Sequence, residues 1–176
     1  MAIQWFKLAP PQIVFNAPNV KPFKMTHARV IPWDWSVDQM FDQALPMGAR
    51  HLIFNCHGFP TKPDFQTPHL SIGTVIHPGN ISAFQKLFGM LDLWVIWISS
   101  CNIAGSEDGL NFCKDMAKIS GCYVVAYGFP VPDEVNKQSQ LKDYTNSMPK
   151  YIEPSRNLMR RDDFLKLGPK LGFELV

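Results

Sequence analysis

Three unbroken apolar runs punctuate the chain: "RHLIFNC" at 50–56, "LWVIWIS" at 93–99 and "CYVVAYG" at 122–128. Each has strand length and lacks polar alternation, the pattern of a strand covered on both faces. Between the first two, "NISAFQKLFGML" repeats apolar residues at helical spacing, through Ile81, Phe84, Leu87, Phe88 and Leu91. Between the second and third, "SEDGLNFCKDMAKIS" carries the signs of a second helix. Ser106 can cap it, Glu107 and Asp108 occupy its first turn, and Lys114 and Lys118 lie nearer its end. Leu110, Cys113 and Ala117 make its inward stripe, and Gly121 suits its stop. Upstream, "SVDQMFDQAL" predicts a helix capped by Ser36, with Val37, Met40, Phe41 and Leu45 on one face and Pro46 and Gly48 behind it.

The flanks give weaker signals. The proline-containing opening offers short strands at "QIVFN" and "ARVIPW". A loop, "GFPTKPDFQTP", follows the first apolar run, and "HLSIG" and "TVI" read as short strands of an edge hairpin. "DEVNKQSQLKDYTNS" is polar throughout, and "FLKLGPKLGFELV" reads as a helix and a final strand. Strand, helix, strand, helix, strand predicts an α/β domain: a mostly parallel sheet with helices on both faces. At 176 residues, with no internal repeat, one domain spanning 1–176 accounts for the whole sequence.

Charge excludes more than it suggests. Seventeen Lys and Arg against 15 Asp and Glu leave a net charge of +2, which gives no basis for a nucleic-acid or anionic-membrane partner. No apolar run reaches the ~20 residues of a membrane span. The N-terminus lacks the pattern of a cleavable signal peptide. The four cysteines, Cys56, Cys101, Cys113 and Cys122, form no C-x-x-C pair, so neither a metal site nor a cofactor is expected. Their positions in or beside core elements predict reduced thiols and a cytoplasmic setting. Export by a route that leaves no such signal is compatible with the same sequence.

Candidate chemistry arises where two apolar runs end. His57 follows the first directly, and Cys101 follows the second. In an open parallel sheet, ligands gather at the carboxyl ends of the strands. A right-handed crossover sets those two strands side by side or nearly so. His57 and Cys101 are therefore expected to face each other at one rim, where an imidazole can serve a thiol. Each also has an inert reading, since cysteine is among the most frequently buried residues. That reading is the expected one for Cys113 on its helix stripe, for Cys122 opening a buried strand, and for Cys56, whose side chain should leave the strand on the opposite face. His27, His51, His69 and His77 are read as structural or surface residues, with the loop of His69 the one that could fold over the site. Every histidine precedes Cys101, which disfavours the cysteine-first order of papain-type and NlpC/P60-type enzymes.

In this order and spacing, "NCHG", "NISAFQKLFGML", "SSCNIAG" and "GCYVVAYG" resemble the clan CD cysteine peptidases, and most closely bacterial caspase-like domains of the CHAT and DUF4347 type. The likeness covers about residues 48–130. It implies a caspase-like three-layer sandwich, a His57–Cys101 catalytic dyad, the Gly58 N–H as an oxyanion donor, and a peptide or protein as substrate. Ser99, Ser100, Asn102, Tyr127 and Phe129 are then the expected lining of the substrate pocket. Ser99-Ser100 replaces the Gln-Ala of caspases. Ser99 also stands where clostripain-like relatives carry an acidic residue that reads a basic P1 side chain, so the resemblance does not imply basic specificity. Two further readings share these residues: a caspase-like module that has lost its chemistry and serves as a binding or scaffolding unit, and acyl-transfer or amidase chemistry with the same dyad. The resemblance is compatible with a stand-alone effector.

Overall fold

The computed structural model describes residues 3–58 and 67–176. Most of the predicted loop after the first apolar run lies outside the described residues. Among those described, the central sheet has seven strands. Its parallel part comprises β2 (Gln12–Asn16), β3 (His27–Val30), β4 (His51–Asn55), β7 (Val95–Ser99) and β8 (Tyr123–Tyr127); β10 (Pro149–Ile152) and β11 (Leu158–Met159) extend it antiparallel. The spatial order is β11-β10-β8-β7-β4-β2-β3. The chain thus enters this sheet at β2, steps outward to β3, and returns across β2 to β4.

Residue alternation in the middle strands sorts side chains onto two faces. Ile13, Phe15, Leu52, Phe54, Ile96 and Ile98 point to one core; Val14, Ile53, Val95 and Trp97 point to the other. The first face is covered by helices. α1 (Val37–Ala44) brings Val37, Met40 and Phe41, and α2 (Glu107–Ser120) brings Phe112, Cys113 and Met116. A 3₁₀ helix at Ile81–Leu87 packs between them through Phe84, whose ring lies edge-on to Phe41 at 5.1 Å. These three crossovers all run in the same direction across the sheet, and right-handed connections then fall on one side. The β2-to-β3 connection runs the opposite way, and its Phe23 and Met25 lie in the second core.

That second face is covered differently from expectation. A small antiparallel sheet, in the order β12 (Phe173–Leu175), β1 (Trp5–Leu8), β9 (Gln140–Lys142), lies over it. The short helices α3 (Arg161–Lys166) and α4 (Gly168–Leu171) add Phe164 and Leu171. Trp97 is the centre of this core, with Phe6, Phe164 and Phe173 rings within 6.0 Å of it. The helices-on-both-faces arrangement therefore holds in a reduced form, with strands carrying much of the second layer. β1 and β9 were not expected: each has too few residues to display a period against its polar neighbours.

Helix signals were reliable where a cap was present. Ser36 Oγ accepts from the Gln39 N–H while Gln39 Oε1 accepts from the Ser36 N–H, a complete capping box. Ser106 Oγ accepts from the Gly109 N–H, and Gly121 closes α2 at φ 72°. The segment after Asn80 behaves otherwise. It winds as a 3₁₀ helix, with three residues per turn, so Ile81, Phe84 and Leu87 fall in one row and are buried. Phe88 and Leu91, placed on the inward face by an α period, are instead 61% and 88% exposed. Among the described residues no helix is long and apolar enough to cross a membrane.

Candidate functional site

β4 and β7 are adjacent and parallel, in register from His51↔Val95 to Asn55↔Ser99. His57 and Cys101 each lie two residues beyond the last pair. The chain after β4 turns into β5 (His57–Gly58), which pairs antiparallel with β6 (Leu70–Ser71), with His57 opposite Ser71 and Gly58 opposite Leu70. The segment read as an edge hairpin is thus a ribbon over the carboxyl edge of the sheet. It bends back through a Leu70–Ile76 bridge, and it fixes the backbone of the histidine.

The two strand ends are clasped by short contacts. The Ser100 hydroxyl donates to the Cys56 carbonyl at 2.7 Å and lies 3.2 Å from the Cys56 sulfur. A Cβ on Gly58 would sit 2.9 Å from the Ser100 Cβ and 3.2 Å from the Cys101 carbonyl oxygen. Only a residue without a side chain lets the His57–Gly58 peptide ride directly over Ser100–Cys101. Beyond Cys101 the chain turns sharply at Asn102, at φ 59°, a left-handed conformation that asparagine tolerates. It is then pinned to the end of β8 by the Asn102 N–H to the Phe129 carbonyl and the Ala104 N–H to the Tyr127 carbonyl.

His57 and Cys101 both line one narrow cavity of about 50 Å³ at this edge. Both are half-buried. The Cys101 sulfur contacts the loop after β8, where the Val131 N–H donates to it at 3.3 Å and the thiol reaches the Val131 carbonyl at 3.4 Å. The other three cysteines are buried, and burial pushes the thiols of Cys56, Cys113 and Cys122 up to about 12. Neutral thiols are poor nucleophiles, so these three are chemically quiet in the folded chain.

Of the expected pocket residues, Ser99 and Ser100 line the cavity with the pair, and Asn102, Tyr127 and Phe129 do not. Tyr127 is buried under the loop and packs edge-on against Tyr144 at 5.8 Å. Phe129 faces a separate groove with Met148 and Leu110. The pinning of residues 102–104 onto β8 accounts for this, because it turns that strand end away from the cavity. Ser100 reaches the cavity as a clasp, its hydroxyl already engaged by Cys56.

Several lining residues were not anticipated. Val20 and Phe23 come from the β2-to-β3 connection, Asn55 from the last position of β4, and Val131, Pro132 and Asp133 from the segment after β8. Asn55 read as part of an apolar run. The only signal for the last group was a pair of prolines, Pro130 and Pro132, following the third buried strand.

The remaining histidines serve the scaffold where the structure describes them. His51 is fully buried, accepts from the Trp97 indole N–H at Nδ1 (3.0 Å), and uses Nε2 to bond the Gly172 carbonyl at 2.8 Å. Those partners define a neutral ring protonated on Nε2, and burial lowers its pKa to about 4. His77 accepts from the Gly79 N–H, His27 is exposed on β3, and His69 is buried beside Leu70 with its Nδ1 3.0 Å from the Thr67 carbonyl. Comparison with models of known protein families, with curated proteins and with solved structures gives no match for this chain.

Proposed function

We propose that this chain is a cysteine peptidase of the caspase-like type, with His57 and Cys101 as its catalytic pair. The observation that carries the reading is that one imidazole and the one solvent-reached thiol among four share a cavity at the carboxyl edge of adjacent parallel strands. The resemblance of "NCHG" and "SSCNIAG" to clan CD segments supports it, as does the central sheet with its helical layer.

In this reading the Cys101 sulfur attacks the scissile carbonyl carbon, and the thiol proton passes to His57. The carbonyl electrons move onto oxygen, where the Gly58 N–H is the assigned donor. Collapse of the tetrahedral species breaks the C–N bond, and the imidazolium gives its proton to the departing amine. Water then adds to the thioester with His57 taking its proton, and the thiol is regenerated as the acid leaves.

A second reading is favoured by one feature: the Cys101 thiol already bonds both backbone groups of Val131 in a cavity of only about 50 Å³. A sulfur so held fits a caspase-like binding module without turnover. The two separate on activity. Incubated with a diverse fluorogenic peptide library, the wild type and Cys113→Ala should release fluorophore, and Cys101→Ala and His57→Ala should not. Equal signals from Cys101→Ala and Cys113→Ala would refute the dyad, and silence from all four would favour the module.

A further inference from the structure

We infer that the cavity beside Cys101 is a receptor for a basic side chain, with Asp133 as the selecting carboxylate and Asn55 Oδ1 as an inner acceptor. The inference rests on the peptidase reading for which substrate residue is delivered there, the one on the acyl side of the scissile bond.

The described lining holds two open acceptors, the Asn55 amide oxygen and the Asp133 carboxylate. Asn55 is buried, yet it lines the cavity. Its amide nitrogen donates to the Asn16 Oδ1 and to the Lys21 carbonyl, both at 2.8 Å, which fixes the orientation of the group. Its carbonyl oxygen accepts no hydrogen bond among the described residues. The amide oxygen is thus an open acceptor on a residue of the cavity wall, one that a ligand N–H can take in place of solvent.

Asp133 is the only carboxylate among the described lining residues, and none of those residues is a lysine or arginine. Its carboxylate accepts one long bond, from the Lys21 N–H at 3.3 Å. The neighbouring Glu134 is already engaged, by the Lys142 ammonium at 2.8 Å and the Tyr144 hydroxyl at 3.2 Å. The opposing charge at the mouth is the Lys21 ammonium, which sits on the Asp133 carbonyl at 3.4 Å and leaves the carboxylate free of it. Val20 and Phe23 supply apolar wall for a methylene stem, while the inner acceptor and the rim carboxylate await the charged head. A volume of about 50 Å³ suits an ammonium or the edge of a guanidinium and excludes a large ring. The selecting carboxylate therefore comes from the loop after β8, although the position two before the cysteine is the neutral Ser99.

The test measures alkylation of Cys101 by mass spectrometry, using peptidyl chloromethyl ketones of one sequence that end in Lys, Gln, Leu or Asp. The Lys probe should react about five- to tenfold faster than the Gln or Leu probe, and the Asp probe slowest. Asp133→Asn should erase most of that preference, Lys21→Ala should increase it, and added salt should weaken it. Equal rates across the four probes, a faster Gln probe, or an unchanged preference in Asp133→Asn overturns the basic receptor. Iodoacetamide, which carries no recognition element, separates the two failures. If it labels Cys101 while the ketones show no basic preference, only this inference falls; if Cys101 resists even iodoacetamide in the folded protein, the nucleophile reading falls and takes this one with it.

Discussion

Gly58 and Ser100 approach so closely that a Cβ on the glycine would lie 2.9 Å from the serine Cβ, nearer than packed carbons come. The contact joins the peptide after the histidine to the peptide before the cysteine. Gly58→Ala must therefore push the two strand ends apart. Because Ser100 is itself held by the Cys56 carbonyl, the shift cannot be absorbed by a free rotamer. The expected cost is about 1–3 kcal/mol of stability, typical of overpacking, measured by urea denaturation. The alkylation rate of Cys101 should change as well, while Ala at Gly48 or Gly89, where nothing lies within 4 Å but φ is +79° and +88°, costs stability through backbone strain alone and leaves the thiol rate unchanged. A Gly58→Ala protein with unaltered stability and thiol reactivity would contradict the clasp.

The thiols should divide sharply under native alkylation. Cys101 is half-buried and borders a cavity, whereas Cys56, Cys113 and Cys122 are buried with thiols pushed up to about 12. Iodoacetamide near pH 7.5 should add one label, at Cys101, long before a second. In concentrated guanidinium all four should react at similar rates, since the burial that separates them is gone. Native labelling spread evenly over the four sites would remove the chemical distinction of Cys101.

Much of the central sheet was legible because its strands are covered on both faces and so read as unbroken apolar runs, as in 50–56, 93–99 and 122–128. Ser36, Ser106 and Gly121 marked helix ends through local hydrogen bonding, which sequence displays directly. The pairing of His57 with Cys101 at one rim followed from topology. The walls of that rim did not. Val20, Phe23 and Asp133 reach it from segments whose positions depend on long-range docking, such as the Lys21–Asp133 contacts across 112 residues, and no local period encodes those. Tyr127 and Phe129 lie outside the cavity for a related reason: the hydrogen bonds that pin 102–104 over β8 are made by backbone groups, to which side-chain patterns are blind.

His51 gives the fold a built-in acid sensitivity. In the unfolded chain its imidazole titrates near 6.5; in the fold, burial holds it near 4, with Nδ1 committed to Trp97. The unfolded state therefore binds more protons between those values, and stability falls as pH drops through that window. The contribution is fully present above pH 6.5 and lost by about pH 4, amounting to as much as about 3 kcal/mol. His51→Gln should be less stable than wild type at pH 7.5, because Gln cannot satisfy both Trp97 and Gly172 in the same geometry. It should also lack this part of the pH slope, so the difference between wild type and variant shrinks from pH 6.5 to pH 4. Parallel stability curves for the two proteins would show that His51 does not titrate differently on folding.

The 3₁₀ winding of Ile81–Leu87 can be tested by the phase of its apolar residues. An α period through this segment would bury Ile81, Phe84, Leu87, Phe88 and Leu91 together. The three-residue period buries Ile81, Phe84 and Leu87, and leaves Leu91 almost fully exposed. Phe84 is enclosed by the Phe41 and Phe54 rings, at 5.1 and 5.9 Å. Phe84→Ala should therefore cost about 3–5 kcal/mol, the range for emptying an aromatic core position. Leu91→Ser should stay within about 0.5 kcal/mol of wild type, as for a surface site without special contacts. Leu87→Ala should cost about 2–5 kcal/mol, since Leu87 is buried at 1% exposure, and the contrast with a near-neutral Leu91→Ala decides between the phases. Urea midpoints for Phe84→Ala, Leu87→Ala, Leu91→Ala and Leu91→Ser read the phase directly. Loss at Leu91 equal to that at Leu87 would mean that the segment continues as an α-helix against the sheet.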